Sequence, residues 1–404
     1  MQIIIAIYFS MVQRKPSSSV PPSFLNRLKE VRTARGLSQG ELAKRADVTR
    51  QAISSIEANR YLPTTVVALQ LARVLNTSVE DLFSLQSPGE VIEARLIDIP
   101  QQVLSTTPLS RVKVVKVNGR FFARPVTGLG EVLSYTVAAD GFLESREASR
   151  RGRSNAPFVQ VRLSRDRDSI EQEIAVAGCD PAIFLAGEHL RRRKDQTSVV
   201  GWTMGSTAAL QALQWGEVHV AGIHLTDDST GESNLPFLRR HLQASAYEVI
   251  TFATWEEGLV VRPGNPKQIR SVADFVREDV TVINREEGAG ARLLLDQRLR
   301  AAGFVGSQVK GYDRTAASHL HVARLVSEGQ ADVGMGIRSA AQSYGLEFVP
   351  LQSARYDLVV PKAYLSSHPS LNHLFDTLAS RPFRSEIAAI GGYDTTDTGK
   401  LQVL

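Results

Sequence analysis

Between residues 24 and 83 apolar positions fall three or four apart. Beyond residue 90 they crowd into short alternating runs, and beyond 174 strand-like and helix-like stretches take turns. In the first stretch Leu25, Leu28 and Val31 share one face of a helix predicted over 24–35, and Gly36 stands where a helix C′ residue would. Leu42, Ala43 and Ala46 give the face of a second short helix. Val48, Ile53 and Ile56 carry the set through a tight turn into a third. Ser38, three residues before Glu41, has the spacing of a capping box, and Thr49 has the place of an N-cap. A fourth helix is expected over 67–75 and a short last one over 79–83, before the turn or linker at 86–89.

The next block changes period. Runs at 112–117 and 120–125 flank Asn118-Gly119, the dipeptide best suited to a two-residue hairpin turn. Further strand-like runs lie at 132–138 and 158–163, so residues 87–168 read as a small β-rich connecting domain. Strands at 174–178, 198–201, 218–223, 280–283 and 332–337 then alternate with helices such as 291–302 and 319–328, in α/β order. Residues 216–223 and 329–336 repeat one layout, a strand of small residues following a helix. Two equivalent lobes would produce this, joined by a segment at 247–261 going out and one at 348–361 coming back. The last helices, 370–380 and 383–390, would then pack on the first lobe.

The third helix carries the most specific chemistry. Its outward residues are Arg50, Gln51, Ser54 and Ser55, uninterrupted by carboxylates. Arg pairs with guanine and Gln with adenine in a major groove, so this face suits base edges. The stretch Leu37-Ser38-Gln39, Glu41-Leu42-Ala43, Val48-Thr49-Arg50-Gln51, Ile53-Ser54 and Ile56-Glu57-Ala58-Asn59-Arg60 closely resembles the Xre type of helix-turn-helix, the family of the lambdoid Cro and repressor proteins. The resemblance covers roughly 24–83, within a domain taken as 23–86. It implies that Gln39 and Thr49 contact phosphates while Arg50, Gln51 and Ser55 read bases, with Ser54 and Arg60 on the same surface. It also implies a homodimer, since one recognition helix covers a half-site.

Composition narrows the picture only a little. Charged residues are 22% and apolar residues 43% of 404, ordinary for a globular protein of several domains. A net charge of +5 agrees mildly with a polyanion partner. One cysteine, Cys179, leaves no internal disulfide framework and no cysteine-rich zinc site, which suits a reducing cytoplasm. The apolar run at 3–12 is too short to span a bilayer and lacks a basic start, so 1–22 reads as a disordered leader with no membrane role. Arg146, Arg150, Arg151 and Arg153 cluster in a loop that reads as solvated. No Gly-x-Ser-x-Gly, Walker loop or HExxH motif occurs, and no cofactor, metal or catalytic site is expected. His219, His224, His319 and His321 lack a cysteine or carboxylate at metal-ligand spacing and read as ordinary histidines.

The segment 169–404 carries a second resemblance. Its residues include Ala177-Gly178-Cys179-Asp180-Pro181, Ala221-Gly222-Ile223-His224-Leu225, Asn234-Leu235-Pro236-Phe237 and Arg355-Tyr356-Asp357-Leu358. They look like the two-lobed, type II periplasmic-binding-protein fold in its cytoplasmic version, found with helix-turn-helix domains and molybdopterin biosynthesis proteins. Phe122-Ala123-Arg124-Pro125 and Ala139-Asp140-Gly141-Phe142 are similar, more weakly, to the small β-domain of molybdopterin molybdotransferases. The fold expected is thus multidomain: an all-α head, a small β-domain and an α/β two-lobed domain.

Two glycine-bearing helix starts in that domain are candidates for ligand binding, Gly205-Ser206-Thr207 and Gly288-Ala289-Gly290. Free backbone N–H groups and the helix dipole favour an anion there. Asn284, Arg285, Arg292 and Arg338 could add charge or hydrogen bonds, and Tyr356 could line the cleft. The expected function is a one-component transcriptional regulator that binds an operator and senses a small anion, with molybdate, tungstate or a related metabolite implied by the resemblance. A molybdenum-cofactor enzyme and a solute-binding protein are the alternatives. The first has no separate catalytic segment here, and the second sits poorly with a DNA-reading head.

Overall fold

The helix predicted from residue 24 begins four residues later in the computed structural model, which describes residues 24–85, 89–97, 111–126, 137–144, 158–192, 197–227 and 230–404. Phe24–Asn26 is instead a short strand, β1, paired antiparallel with Phe83–Leu85, β2, and Phe24 stacks on Phe83 at 5.8 Å between centroids. Pairing the two ends of the head places both aromatic rings against its core, which a helix over the same residues would not do. The helices come next as α1 (Leu28–Ala34), α2 (Gln39–Arg45), α3 (Arg50–Glu57), α4 (Thr65–Leu75) and α5 (Val79–Leu82). Ser38 and Glu41 form the expected reciprocal capping box on α2, and Thr49 Oγ1 accepts the Ala52 N–H at the start of α3. The turn between them passes through Asp47 at φ 52°, a left-handed conformation that a short polar side chain tolerates. Leu28, Leu42, Ile53, Ile56 and Leu71 are fully buried in one cluster, each worth roughly 1.5–3 kcal/mol.

The described residues divide into two compact units between Glu90 and Val91. The second begins with a closed barrel: β3 (Val91–Leu96), β4 (Arg111–Val117), β5 (Arg120–Pro125), β6 (Gly141–Leu143) and β7 (Phe158–Leu163), in the order β3-β5-β4-β6-β7. Asn118 and Gly119 take φ 48° and 74°, the left-handed pair required by the β4–β5 hairpin turn. The strand expected at 132–138 falls almost wholly outside the described residues, as do the leader 1–22 and the arginines at 146–153. The barrel is packed against the first lobe of the α/β domain. Val115, Val117 and Phe122 share a buried cluster with that lobe, and α6 (Arg167–Glu171) leads directly into it.

The first lobe places β8 (Ile174–Gly178) between β9 (Val199–Thr203) and β10 (Val220–Ile223), all parallel. Helix α7 (Ile183–Arg192) lies between β8 and β9, α8 (Ser206–Gln214) between β9 and β10, and α9 (Leu235–His241) comes after β10. Then β11 (Tyr247–Val261) crosses to the second lobe, where β12 (Val282–Arg285), β13 (Thr315–Ala316) and β14 (Val333–Ile337) are parallel. Helices α10 (Gly290–Ala301), α11 (His319–Ser327) and α12 (Arg338–Ser343) complete it, and β15 (Glu347–Pro361) returns. β11 and β15 pair antiparallel along nearly their whole length, β10 joining β15 in one lobe and β14 joining β11 in the other. The repeated layout is real: Gly216 and Gly329, at φ 68° and 71°, end α8 and α11 just before β10 and β14. Helices α13 (Lys362–Ser367), α14 (Ser370–Ala379) and α15 (Arg381–Ile390) return to the first lobe, where Leu371, Leu374 and Phe383 bury beside Ala186 and Leu190. Strands β16 (Tyr393–Asp394) and β17 (Leu401–Gln402) add to β11.

One buried histidine makes this unit acid-sensitive. His219 Nδ1 accepts the Ala175 N–H at 3.0 Å, so the ring must stay neutral. Burial first, and His368 beside it, lower its pKa from 6.5 to about 3. The stability this contributes is present above pH 6.5 and is lost as pH falls toward 3. The urea midpoint should therefore drop between pH 7.5 and 5, and drop less in His219→Asn, whose side-chain oxygen can still accept that N–H.

Candidate functional site

The head presents α3 outward. Arg50, Gln51 and Ser54 are exposed, Ser55 is half-buried, and Thr49 and Arg60 flank them, also exposed. None of the four helix residues has a side-chain partner among the described residues, so the face is free for an external one. Its seat is rigid. Glu57, at the end of α3, accepts Arg32 Nε at 2.6 Å and Gln39 Nε2 at 2.8 Å, both partly or wholly buried. Asn26 Nδ2 donates to the Ile56 carbonyl at 2.6 Å, satisfying an end carbonyl of the same helix. Gln39 thus also braces the helix, with its side-chain amide on Glu57. Breaking the brace by Arg32→Ala leaves the Glu57 carboxylate half-paired in a buried position. The expected loss is about 2 kcal/mol in urea unfolding, as for a hydrogen bond to a charged group, with no such loss for the exposed Arg50→Ala.

In the second unit the carboxyl ends of strands from both lobes converge, the place where open α/β sheets hold ligands. The two helix starts singled out in the sequence meet there. A Cβ on Gly205 would stand 3.0 Å from Ala289 Cα, and Thr207 Oγ1 donates to the Gly288 carbonyl at 3.0 Å. Ser206 Oγ accepts the His224 N–H at 3.1 Å, and Gly290 packs so tightly on His224 that a Cβ would lie 2.1 Å from its carbonyl oxygen. Gly205, Ser206, Thr207, Gly288 and Gly290 are therefore together, in direct contact across the lobes.

The charged candidates are placed differently. Arg285 is fully buried, with Nε and Nη2 on Glu286 and on the Ala316 and Ala317 carbonyls, and Nη1 without a partner. Asn284 is spent locally on the Tyr312 carbonyl and the Arg285 N–H. Arg292 lies 4.8 Å over the Tyr312 ring and donates to the Arg285 carbonyl. Arg338 pairs with Glu256 and covers the Phe348 ring. Arg292 and Arg338 thus each have an aromatic ring and a hydrogen-bonding or carboxylate partner in their own neighbourhood. Tyr356 does reach the centre: its hydroxyl fits between Gly178 and Gly222, where a Cβ would come within 2.0 and 1.9 Å.

Sequence reasoning read the residues that occupy that centre as ordinary histidines and a lone thiol. Cys179 follows β8, His224 follows β10, and His319 opens α11. All three are buried, with the sulfur and one nitrogen of each ring within 4.8 Å of one another. Trp255 packs on His224 at 5.1 Å and on Tyr356 at 4.8 Å, and its Nε1 has no partner. His224 Nδ1 bonds Glu257 at 2.6 Å. Burial alone would lower the His224 pKa, but Cys179 and Glu257 outweigh it and carry it up to about 10. His319 goes well below 6.5 through burial, Arg285 and His224. Burial lifts Asp180 to about 6 against the Ala182 N–H and the Tyr393 hydroxyl. A cavity of about 180 Å³ opens beside this cluster, lined from both lobes by Pro181, Leu185, His319, Ser339 and Tyr393 among others. The signal that could have exposed the trio is position: each residue lies at or just beyond a strand end of the converging set.

Comparison with known proteins agrees with both units. Residues 28–82 match a helix-turn-helix domain, and residues 187–379 match the PBP superfamily domain. The Bacillus subtilis (strain 168) protein YvgK is 33% identical over 228 residues, 56% of this chain and 73% of its own length. The chain belongs to the PBP superfamily. A Clostridium pasteurianum protein from the ferredoxin 2Fe-2S gene 5′ region is 37% identical over 110 residues, 27% of this chain and 96% of its own. An HTH-type transcriptional regulator of Methanothermobacter thermautotrophicus is 43% identical over 63 residues, 15% of this chain and 91% of its own. Along the chain, the PBP superfamily domain thus comes after an Xre-type DNA-binding head. No described helix is long and apolar enough to cross a membrane.

Proposed function

We propose that the chain is a one-component transcriptional regulator, in the cytoplasm, that binds operator DNA through α3 and responds to a small anion held between its lobes. The observation carrying this reading is the joining, in one chain, of an unengaged recognition face and an interlobe centre with unmet donors. Arg285 Nη1 and Trp255 Nε1 are buried without partners, and each would be stabilised by an acceptor. The starts of α8 and α10 meet beside them, adding the positive ends of two helices. Molybdate and tungstate are the candidates by charge, since their oxygens would accept from these donors. A ligand that prefers the closed lobes shifts their equilibrium, and the shift reaches the head through the chain. Dimerisation follows from the half-site geometry of such heads.

The test is fluorescence anisotropy on genomic operator fragments with and without molybdate, tungstate, phosphate and small carboxylates, alongside thermal shift with the same compounds. One anion should change both readouts. A thermal shift with unchanged operator affinity would separate ligand binding from regulation and sink the sensor reading. A monomer by sedimentation, free and on DNA, would remove the dimer.

A further inference from the structure

We infer that Cys179, His224 and His319 form a binding site for a soft d¹⁰ metal ion, zinc(II) or copper(I), on the floor of the interlobe cleft. The argument starts from the ligand set. A thiolate with two imidazoles is a borderline-soft donor group, which selects zinc or copper(I) over magnesium, calcium or manganese. The spacing agrees. With metal–sulfur and metal–nitrogen bonds of roughly 2.3 and 2.05 Å, a sulfur and a nitrogen on one tetrahedral ion lie about 3.6 Å apart. Cys179 Sγ and His319 Nε2 are 3.7 Å apart, and all three donor atoms fall within 4.8 Å.

The surroundings have the form of a built site. His224 Nδ1 is held by Glu257 at 2.6 Å, and the other oxygen of Glu257 accepts Gln352 Nε2 at 3.1 Å. A carboxylate on one ring nitrogen fixes the tautomer and leaves Nε2 as the metal-facing donor, the arrangement that metal-bound histidines usually have. His224 Nε2 makes no hydrogen bond of ordinary geometry in this dry interior, where the residue is 2% exposed. Trp255 and Tyr356 wall the trio from solvent. Three protein ligands leave a position open, and the ligands come from both lobes: Cys179 and His224 from the first, His319 from the second. An ion there would tie the lobes together without needing an anion or DNA.

The test uses the untagged full-length chain, reduced and metal-free. Cobalt(II) should bind at one equivalent with a near-ultraviolet sulfur-to-cobalt charge-transfer band and visible bands of tetrahedral intensity. Zinc should displace it. Copper(I), measured against a competing chelator, decides which of the two ions binds more tightly. Cys179→Ala should abolish the charge-transfer band and weaken zinc at least 100-fold while keeping the circular dichroism of the parent. His319→Gln should weaken zinc similarly. Glu257→Gln should keep the band but weaken binding 10- to 100-fold. A cobalt spectrum without the thiolate band, or equal zinc affinity in Cys179→Ala, would overturn the site and leave a buried thiol–imidazole network only. Anion thermal shifts, run in the presence of a chelator, report on the cleft reading separately, so either can fail while the other stands.

Discussion

Gly290→Ala is expected to abolish ligand-driven closure while leaving both lobes folded. The glycine opens α10 on the second lobe and faces the His224 carbonyl on the first, where a Cβ would stand 2.1 Å away and 2.7 Å from the imidazole Cε1. Neither obstacle yields easily, because Ser206 Oγ accepts the His224 N–H and Glu257 holds the ring. The overlap exists only when the lobes touch. Overpacking of this kind costs about 3 kcal/mol, which as a penalty on the closed state is roughly a 150-fold loss in ligand affinity. The open lobe gains slightly, since alanine in a helix is favoured over glycine by up to about 1 kcal/mol. Small-angle scattering and thermal shift with the active anion should show a parent that contracts and a variant that does not. Equal contraction would mean that the closed form brings other surfaces together.

Arg50→Ala and Gln51→Ala should each weaken operator binding by about 1–3 kcal/mol, a five- to 150-fold change, with little effect on stability. Both side chains are exposed and lie on the helix braced by Glu57, so their loss removes contacts to DNA and none to the protein. Gln39→Ala is a useful contrast. Its amide donates to Glu57, so its effect on DNA should come with a measurable drop in head stability. Anisotropy titrations on a footprinted site give the comparison. Undiminished affinity in both α3 variants would mean that another face reads the operator.

The head was legible because its information is local. Caps, a three-to-four spacing and a run of outward polar residues are all contained in a few turns of chain, and Ser38, Glu41 and Thr49 act as their spacing requires. The start was misplaced because Phe24 answers to Phe83, a partner fifty-nine positions later that no local pattern reveals. The two lobes were legible through their repeat and the two long connecting runs. Their closeness to the barrel was not, since Phe122 has the same alternating pattern whether it packs inside a free barrel or against a neighbour. The interlobe centre was half legible. Gly205 and Gly290 are marked by the helices they open, whereas Cys179, His224 and His319 come from three distant segments and carry no shared motif. The partners of the arginines were not legible for a related reason: sequence places Arg292 in the first turn of its helix but does not show that Tyr312 lies beneath it or that Glu256 pairs with Arg338.

The two crossing strands have a mechanical consequence. Because β11 and β15 remain bonded to each other between the lobes, with register slips only at Thr251/Ala253 and Glu257/Gly258, the connection behaves as a single leaf spring and not as a pair of slack cords. At the two slips the ladder is interrupted, which is where a paired strand bends most readily. Trp255 lies between them and Glu257 borders the second, so the groups that touch the centre of the cleft are mounted on the spring itself. An occupant of the kind proposed above, pressing on that indole or pulling on that carboxylate through His224, would act on the joint directly, with no separate lever in between.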